Sequence, residues 1–258
     1  MQFVLEAACG CDIGRIRHSN EDNYLFNKRI RNIEDNEFIK PDYKVFEQNV
    51  ACFGVFDGLG GAGDGHIASY MAANVLLQDF CQVESSGMMS ESFFNSTVTH
   101  MNEKVCVEAL QRKNNMGTTF VGACFCEERI YLCNIGDSRA YRVRESQLVQ
   151  ISKDHVEEIP PFMQHKRHIK PNLSQCIGIP SEELLIEPYV MQGEIKQDDT
   201  YLLCSDGITD MLTDKEILSI LENSKDASIC IQLLISSAMS HGGKDNATAI
   251  VVKVKEKE

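Results

Sequence analysis

The sequence predicts an α+β chain: a layered α-β-β-α sandwich of two mainly antiparallel sheets flanked by helix pairs. Three observations predict it. Helical periodicity comes in pairs, once after the first strands and once before the last; four β-rich runs between residues 117 and 151 follow one another without a helix; and the elements do not alternate βαβα, as a doubly wound parallel sheet requires. With 258 residues, 43% apolar and 24% charged, the chain can bury a large core as one domain spanning 1–258.

In chain order, residues 2–9 and 23–26 read as short strands, and the polar stretch 27–49 as a hairpin excursion. Residues 50–56 form a continuous apolar strand, followed by a glycine cluster and helical spacing over 67–80. Ser90 is placed as the N-cap of a second helix ending near Arg112. The runs TTFVGACFC, RIYLCNI, RAYRVR and QLVQI, separated by short turns, predict an antiparallel meander. Residues 154–183 read as a short, flap-like surface excursion, and strands return over 184–191 and 200–204. Thr213 with Glu216 three residues on predicts a capping box. A further helix over 227–240 and the closing strand ATAIVVKV complete the chain.

A net charge of −13 argues against a nucleic-acid partner, because phosphate backbones need clustered Lys and Arg. No apolar run approaches the roughly 18 residues that span a bilayer, and the N-terminal MQFVLEAACGCDIG lacks the basic region of a secretory signal. Eleven cysteines, an odd number at irregular spacing, sit largely inside apolar runs, which places the protein in a reducing cytoplasm.

The chemistry is carried by aspartates beside apolar strands: CFGVFD ends at Asp57, YLCNIGD at Asp137, YLLCSD at Asp206, Asp245 precedes ATAIVV, and Asp22 precedes a short strand. Singly, each is a turn-former. Together, strand ends of a shared sheet would converge such carboxylates on one edge, where they repel unless cations lie between them. With no His or Cys at matching positions the donors are oxygens, which selects Mg²⁺ or Mn²⁺ over zinc.

The segments RIRHSNED, GVFDGLGG, GTTFVGA, NIGDSRAY, LLCSDGITDML and GGKDNATAIVV, in this order and over nearly the whole chain, resemble the successive motifs of the type 2C, metal-dependent (PPM) protein serine/threonine phosphatases. The resemblance implies that Asp57, Asp206, Asp245 and the carbonyl of Gly58 hold two metal ions, with Glu21 and Asp22 as the acidic pair that supports them. It implies that Asp137 with Asp206 can hold a weaker third ion and that Arg17 clamps the phosphate. The reaction implied is hydrolysis of phosphoserine and phosphothreonine in phosphorylated proteins. A water between the two ions attacks the phosphorus in line, without a covalent intermediate.

Two departures stand out. Leu59 follows Asp57-Gly58 where many relatives carry histidine, so the resemblance leaves leaving-group protonation to a metal-bound water, and His66 is not assigned a catalytic role. The flap region is short, although NLSQCIG resembles its closing motif. These departures keep a rival open, a pseudophosphatase that binds phosphoproteins without turnover.

Other signals read as structural. The run from Gly58 to Gly63 satisfies the dinucleotide-binding pattern, but Asp57 sits where a pyrophosphate would approach. Cys204 and Ser205 lie at a strand end outside any nucleophile motif. Cys9-x-Cys11 and Cys124-x-Cys126 share a strand face and pack. His165, His168 and Lys170 belong to a solvated basic loop.

Overall fold

The computed structural model describes residues 3–34, 39–46, 50–60, 64–86, 89–158 and 170–256. The first sheet contains β1 (Phe3–Asp12), β4 (Ile39–Phe46), β10 (Arg139–Arg144), β11 (Gln147–Gln150), β13 (Thr200–Cys204) and β14 (Ala247–Glu256), in the order β11-β10-β13-β14-β1-β4. The second contains β2 (Asn23–Phe26), β3 (Arg29–Ile30), β5 (Val50–Phe56), β8 (Phe120–Cys126), β9 (Arg129–Ile135) and β12 (Tyr189–Glu194), in the order β12-β9-β8-β5-β2-β3. A small ribbon pairs β6 (Gly58–Gly60) with β7 (Met116–Thr118). The helices are α1 (Gly65–Ser86), α2 (Glu91–Arg112), the four-residue α3 (Asp206–Thr209), α4 (Asp214–Asn223) and α5 (Ala227–Ser240).

Every pairing in the two large sheets is antiparallel, and each sheet is covered on both faces. The strand β14 shows why. Its Ile250, Val252 and Val254 enter the core between the sheets, while Ala247, Ala249 and Val251 face the core under α4 and α5. Period-2 alternation thus becomes a continuous apolar run. Phe26, Phe46, Phe53, Phe125 and Tyr201 form a chain of edge-on and tilted ring contacts, 5.2–5.8 Å between centroids, in the inter-sheet core. Beneath α1 and α2, Phe56, Phe94 and Phe120 anchor the third core. A Cβ at Gly10 would lie 2.8 Å from Ile235, so glycine lets α5 press onto β1. Cys9 and Cys11 both point into the inter-sheet core, as their spacing predicts.

The layered architecture agrees with the sequence expectation, and several connections correct it. The four runs of residues 117–151 are not one meander. The pair β8–β9 lies in one sheet and β10–β11 in the other, with Gly136 at a φ of +98° where the chain crosses between them. A sheet change and a hairpin turn leave the same polar punctuation, so alternation alone does not separate them. The stretch 27–49 is no self-paired excursion either, because β3 pairs with β2 while β4 joins β1 in the other sheet. The strand expected over 184–191 begins only at Tyr189, since Pro180 holds the amides of Glu183 and Leu184 in a turn. Ser90 is the N-cap of α2, but its hydroxyl bonds Ser92 Oγ instead of a backbone N–H. The capping box of Thr213 and Glu216 is present. His165 and His168 lie outside the described residues.

Candidate active site

The turns at one end of the sandwich converge between the two sheets. Asp57 follows β5 and Gly58 opens β6; Asp206 opens α3 one residue after β13; Asp245 precedes β14; Asp137 sits at the crossing between β9 and β10; Arg17, Glu21 and Asp22 come from the loop after β1. A cleft of about 860 Å³ is lined by Arg17, Glu21, Asp57, Gly58, Asp137, Asp206 and Asp245. These are seven of the eight positions that the sequence singled out. The eighth, Asp22, is fully buried and close enough to Asp57 and Asp206 for their charges to interact.

The carboxylates of this cluster are buried close together and raise one another's pKa. Burial, and then Asp206, Asp22, Asp245 and Asp137, raise the Asp57 carboxyl well above its ordinary value. Burial pushes Asp22 up to about 7 against the hydrogen bonds it accepts, and burial also raises Glu21 and Asp137. Asp22 Oδ2 accepts from Ser205 Oγ at 2.8 Å and Thr248 Oγ1 at 2.7 Å, while Asp22 Oδ1 and Asp206 Oδ1 are buried with no hydrogen-bond partner. Buried carboxylate oxygens without partners are costly, and a hard cation is the partner that suits them. Gly58 is confined between the backbones of Glu21 and Gly65, leaving no room for a side chain.

Among the described residues, no three His, Cys, Asp or Glu side chains close round a single point at ligand distance.

Two cations of the chain itself occupy the cleft. Arg17 Nη2 donates to Asp245 Oδ2 at 2.7 Å, at the mouth. Lys170 bonds Asp206 and lies 3.1 Å from Asp210 and 3.5 Å from Asp137. The sequence reading left Lys170 in a solvated basic loop; the fold leaves its side chain about half exposed but lays its ammonium onto Asp206 and near Asp137.

The residues that position the acids escaped the sequence reading. Thr119 Oγ1 accepts the Asp57 N–H at 3.1 Å and pairs with Ser138 Oγ at 2.7 Å, and Thr118 Oγ1 donates to the Asp57 carbonyl at 2.9 Å. Asn246 Oδ1 accepts the Glu21 N–H at 2.8 Å, while its amide donates to the carbonyls of Ile13 and Ser19. Arg31, 1% exposed, donates from Nε to the Asp22 carbonyl at 2.9 Å and from Nη2 to the Asn20 carbonyl at 2.8 Å. Thr118, Thr119 and Asn246 lie inside quoted motifs, whereas nothing in the sequence marks Arg31. The glycine run is not a dinucleotide turn, since Gly58–Gly60 pairs as strand β6.

The family model of protein phosphatase 2C matches residues 39–227. The chain belongs to that family. This phosphatase is 30% identical to the serine/threonine phosphatase stp of Listeria monocytogenes serotype 4b (strain F2365), over 94% of this chain and 93% of that protein. It is 29% identical to the serine/threonine protein phosphatase PstP of Mycobacterium tuberculosis (strain ATCC 25618 / H37Rv), over 98% of this chain and 45% of that longer protein. Among solved structures, the catalytic domain of PstP in complex with two manganese ions superposes with a TM-score of 0.77 at 26% identity, covering 98% of this chain and all of that one.

Proposed function

We propose that this serine/threonine protein phosphatase works through two Mn²⁺ or Mg²⁺ ions held by Asp57, the Gly58 carbonyl, Asp206 and Asp245. Glu21 and Asp22 support them, and Asp137 with Asp206 is open to a weaker third ion. One observation carries this reading: seven of the eight positions meet in one cleft, above buried carboxylate oxygens of Asp22 and Asp206 that lack partners.

Bound there, two divalent cations supply the charge that activates a water and screens the phosphoryl group. The chain does the rest. Arg17, about half exposed at the cleft mouth, presents a planar fork that suits two phosphate oxygens, and it exchanges Asp245 for the phosphate as substrate enters. Asp22, held by Ser205 and Thr248, fixes the floor, and Thr118 and Thr119 hold Asp57 by both its amide and its carbonyl. Leu59 lines the cleft without offering a proton. A pseudophosphatase finds no support, because every acid of the motif is present and the relatives are named as phosphatases.

Phosphorylated proteins are the substrates, and the chain acts as one phosphatase domain. A reducing compartment such as the cytoplasm is supported by eleven cysteines of which none forms a disulfide, and no helix among the described residues is long and apolar enough to cross a membrane.

The test is a Mn²⁺ titration of phosphoserine-peptide and aryl phosphate hydrolysis with Asp206→Asn beside the parental protein. We expect turnover that needs the metal, is lost on chelation, and falls at least about a hundredfold in the variant while its circular dichroism is unchanged. Full turnover by Asp206→Asn would remove that residue from the site.

A further inference from the structure

A second cavity opens beside the cleft. It has a volume of about 650 Å³, and its walls include Leu59, Gly60, Cys106, Leu110, Met116 and Ile179. Leu59 and Gly60 line both spaces, so groove and cleft are continuous across the β6–β7 ribbon. At about 3.3 Å per strand residue, Gly60 lies some 7 Å along that ribbon from Gly58.

The groove has an apolar floor of Leu59, Met116 and Ile179 and one strongly exposed apolar side chain, Leu110, with Lys113 and Glu183 also in its lining. Of the nine large hydrophobic residues exposed among those described, Leu110 lines the groove from α2, Val107 is exposed on the same helix, and Leu184 and Leu185 follow the lining residue Glu183 in sequence. Ile16 stands on the far lip of the catalytic cleft. Leu110 is 77% exposed and Leu185 73%. An exposed leucine beside an apolar cavity that adjoins a catalytic cleft is the kind of surface that takes an apolar side chain of a ligand.

We infer that the groove is a specificity subsite for an aliphatic side chain two to three residues from the phosphorylated serine or threonine of a substrate protein. The inference rests on the hydrolysis proposed above and deepens it. An extended peptide advances about 3.3 Å per residue, so a phosphoserine seated in the cleft sends its second or third neighbour to the groove. Continuity through Leu59 and Gly60 favours this occupant, because a chain already anchored by its phosphate fills the groove without a separate binding event. Leu59 then has a use of its own: where a histidine would bring a polar edge, it makes the passage between cleft and groove apolar.

The experiment uses Mn²⁺-loaded protein and phosphoserine peptides that differ only in leucine or serine at the second or third position on either side, with 4-nitrophenyl phosphate in parallel. For one side we expect the leucine peptide to gain about tenfold in kcat/KM, mainly through KM. Leu110→Glu and Cys106→Gln should each bring that preference to within about twofold while aryl phosphate turnover stays within twofold of the parental rate. Equal turnover of all peptides, or a preference that survives both variants, overturns the inference while leaving the phosphatase reading intact. A parental dimer that Leu110→Glu dissolves, with no peptide preference, assigns the face to a second copy of the chain and overturns it as well. Absence of aryl phosphate hydrolysis in the parental protein would overturn both readings together.

Discussion

Thr119 is placed to touch neither phosphate nor cation, yet its hydroxyl accepts the Asp57 amide and reaches Ser138 across the sheets. Thr119→Val keeps the shape and deletes the hydroxyl, leaving a backbone N–H without its acceptor. We expect a loss of about 1–3 kcal/mol in thermal or denaturant unfolding and a 10- to 100-fold weaker Mn²⁺ affinity by calorimetry. Unchanged affinity would mean that the bonds from Thr118 Oγ1 and the Thr119 N–H to the Asp57 carbonyl aim it without this hydroxyl. The acids were legible residue by residue, because Asp beside an apolar strand, repeated, is a pattern along the chain. Their supports were less legible: Thr119 and Asn246 are ordinary polar residues until the fold brings them to a backbone 62 and 225 residues away.

His155 offers a second test at this scale. Its Nδ1 is buried without a partner, and burial lowers its pKa from the ordinary value. The folded chain therefore resists a proton that the unfolded chain accepts near pH 6.5, so stability is full above that pH and is lost as the pH falls below it. His155→Gln should flatten the decline of Tm between about pH 6.5 and 5. An unaltered decline would show that other groups set the acid limb.

Among the elements, the crossing between β9 and β10 matters most to the site, because it places Asp137 at the cleft and Ser138 against Thr119. It turns on Gly136, at a φ of +98°, where a Cβ would lie 2.7 Å from Thr119 Cβ. Gly136→Ala should cost about 1–3 kcal/mol, which for a chain of this size lowers Tm by several degrees. It should also weaken metal binding, since the alanine pushes on the residue that holds Asp57. A variant with unaltered Tm would show that the crossing can relax. The elements themselves were readable where one signal dominated: the capping box of Thr213 and Glu216 marks α4, and β14 is a run of β-branched residues closed by charge. Their partners were not, because β9 and β10 are adjacent in sequence and belong to different sheets.

For the whole molecule, the carboxylates at the sheet ends oppose folding until a cation joins them. A ligand that binds only the folded state stabilises it by mass action, about 2.7 kcal/mol at a hundred times its Kd. Saturating Mn²⁺ should therefore raise Tm by several degrees, chelation should reverse the rise, and Asp206→Asn should lose most of it. This test needs no substrate, and a Tm indifferent to Mn²⁺ would contradict the metal site whatever the kinetics showed.

The sequence by itself determined the layered α+β class, the helix pairs, and the acids with their oxygen-only chemistry, because periodicity, capping and strand-end aspartates are local patterns that a linear chain displays. Only the tertiary structure decided which sheet each hairpin joins, how Asn246, Thr119 and Arg31 hold the acids, that Lys170 turns into the cleft, and that a groove runs on from it. Those features are contacts between residues far apart in the chain, and they come into being only when burial of both faces of both sheets brings their ends together.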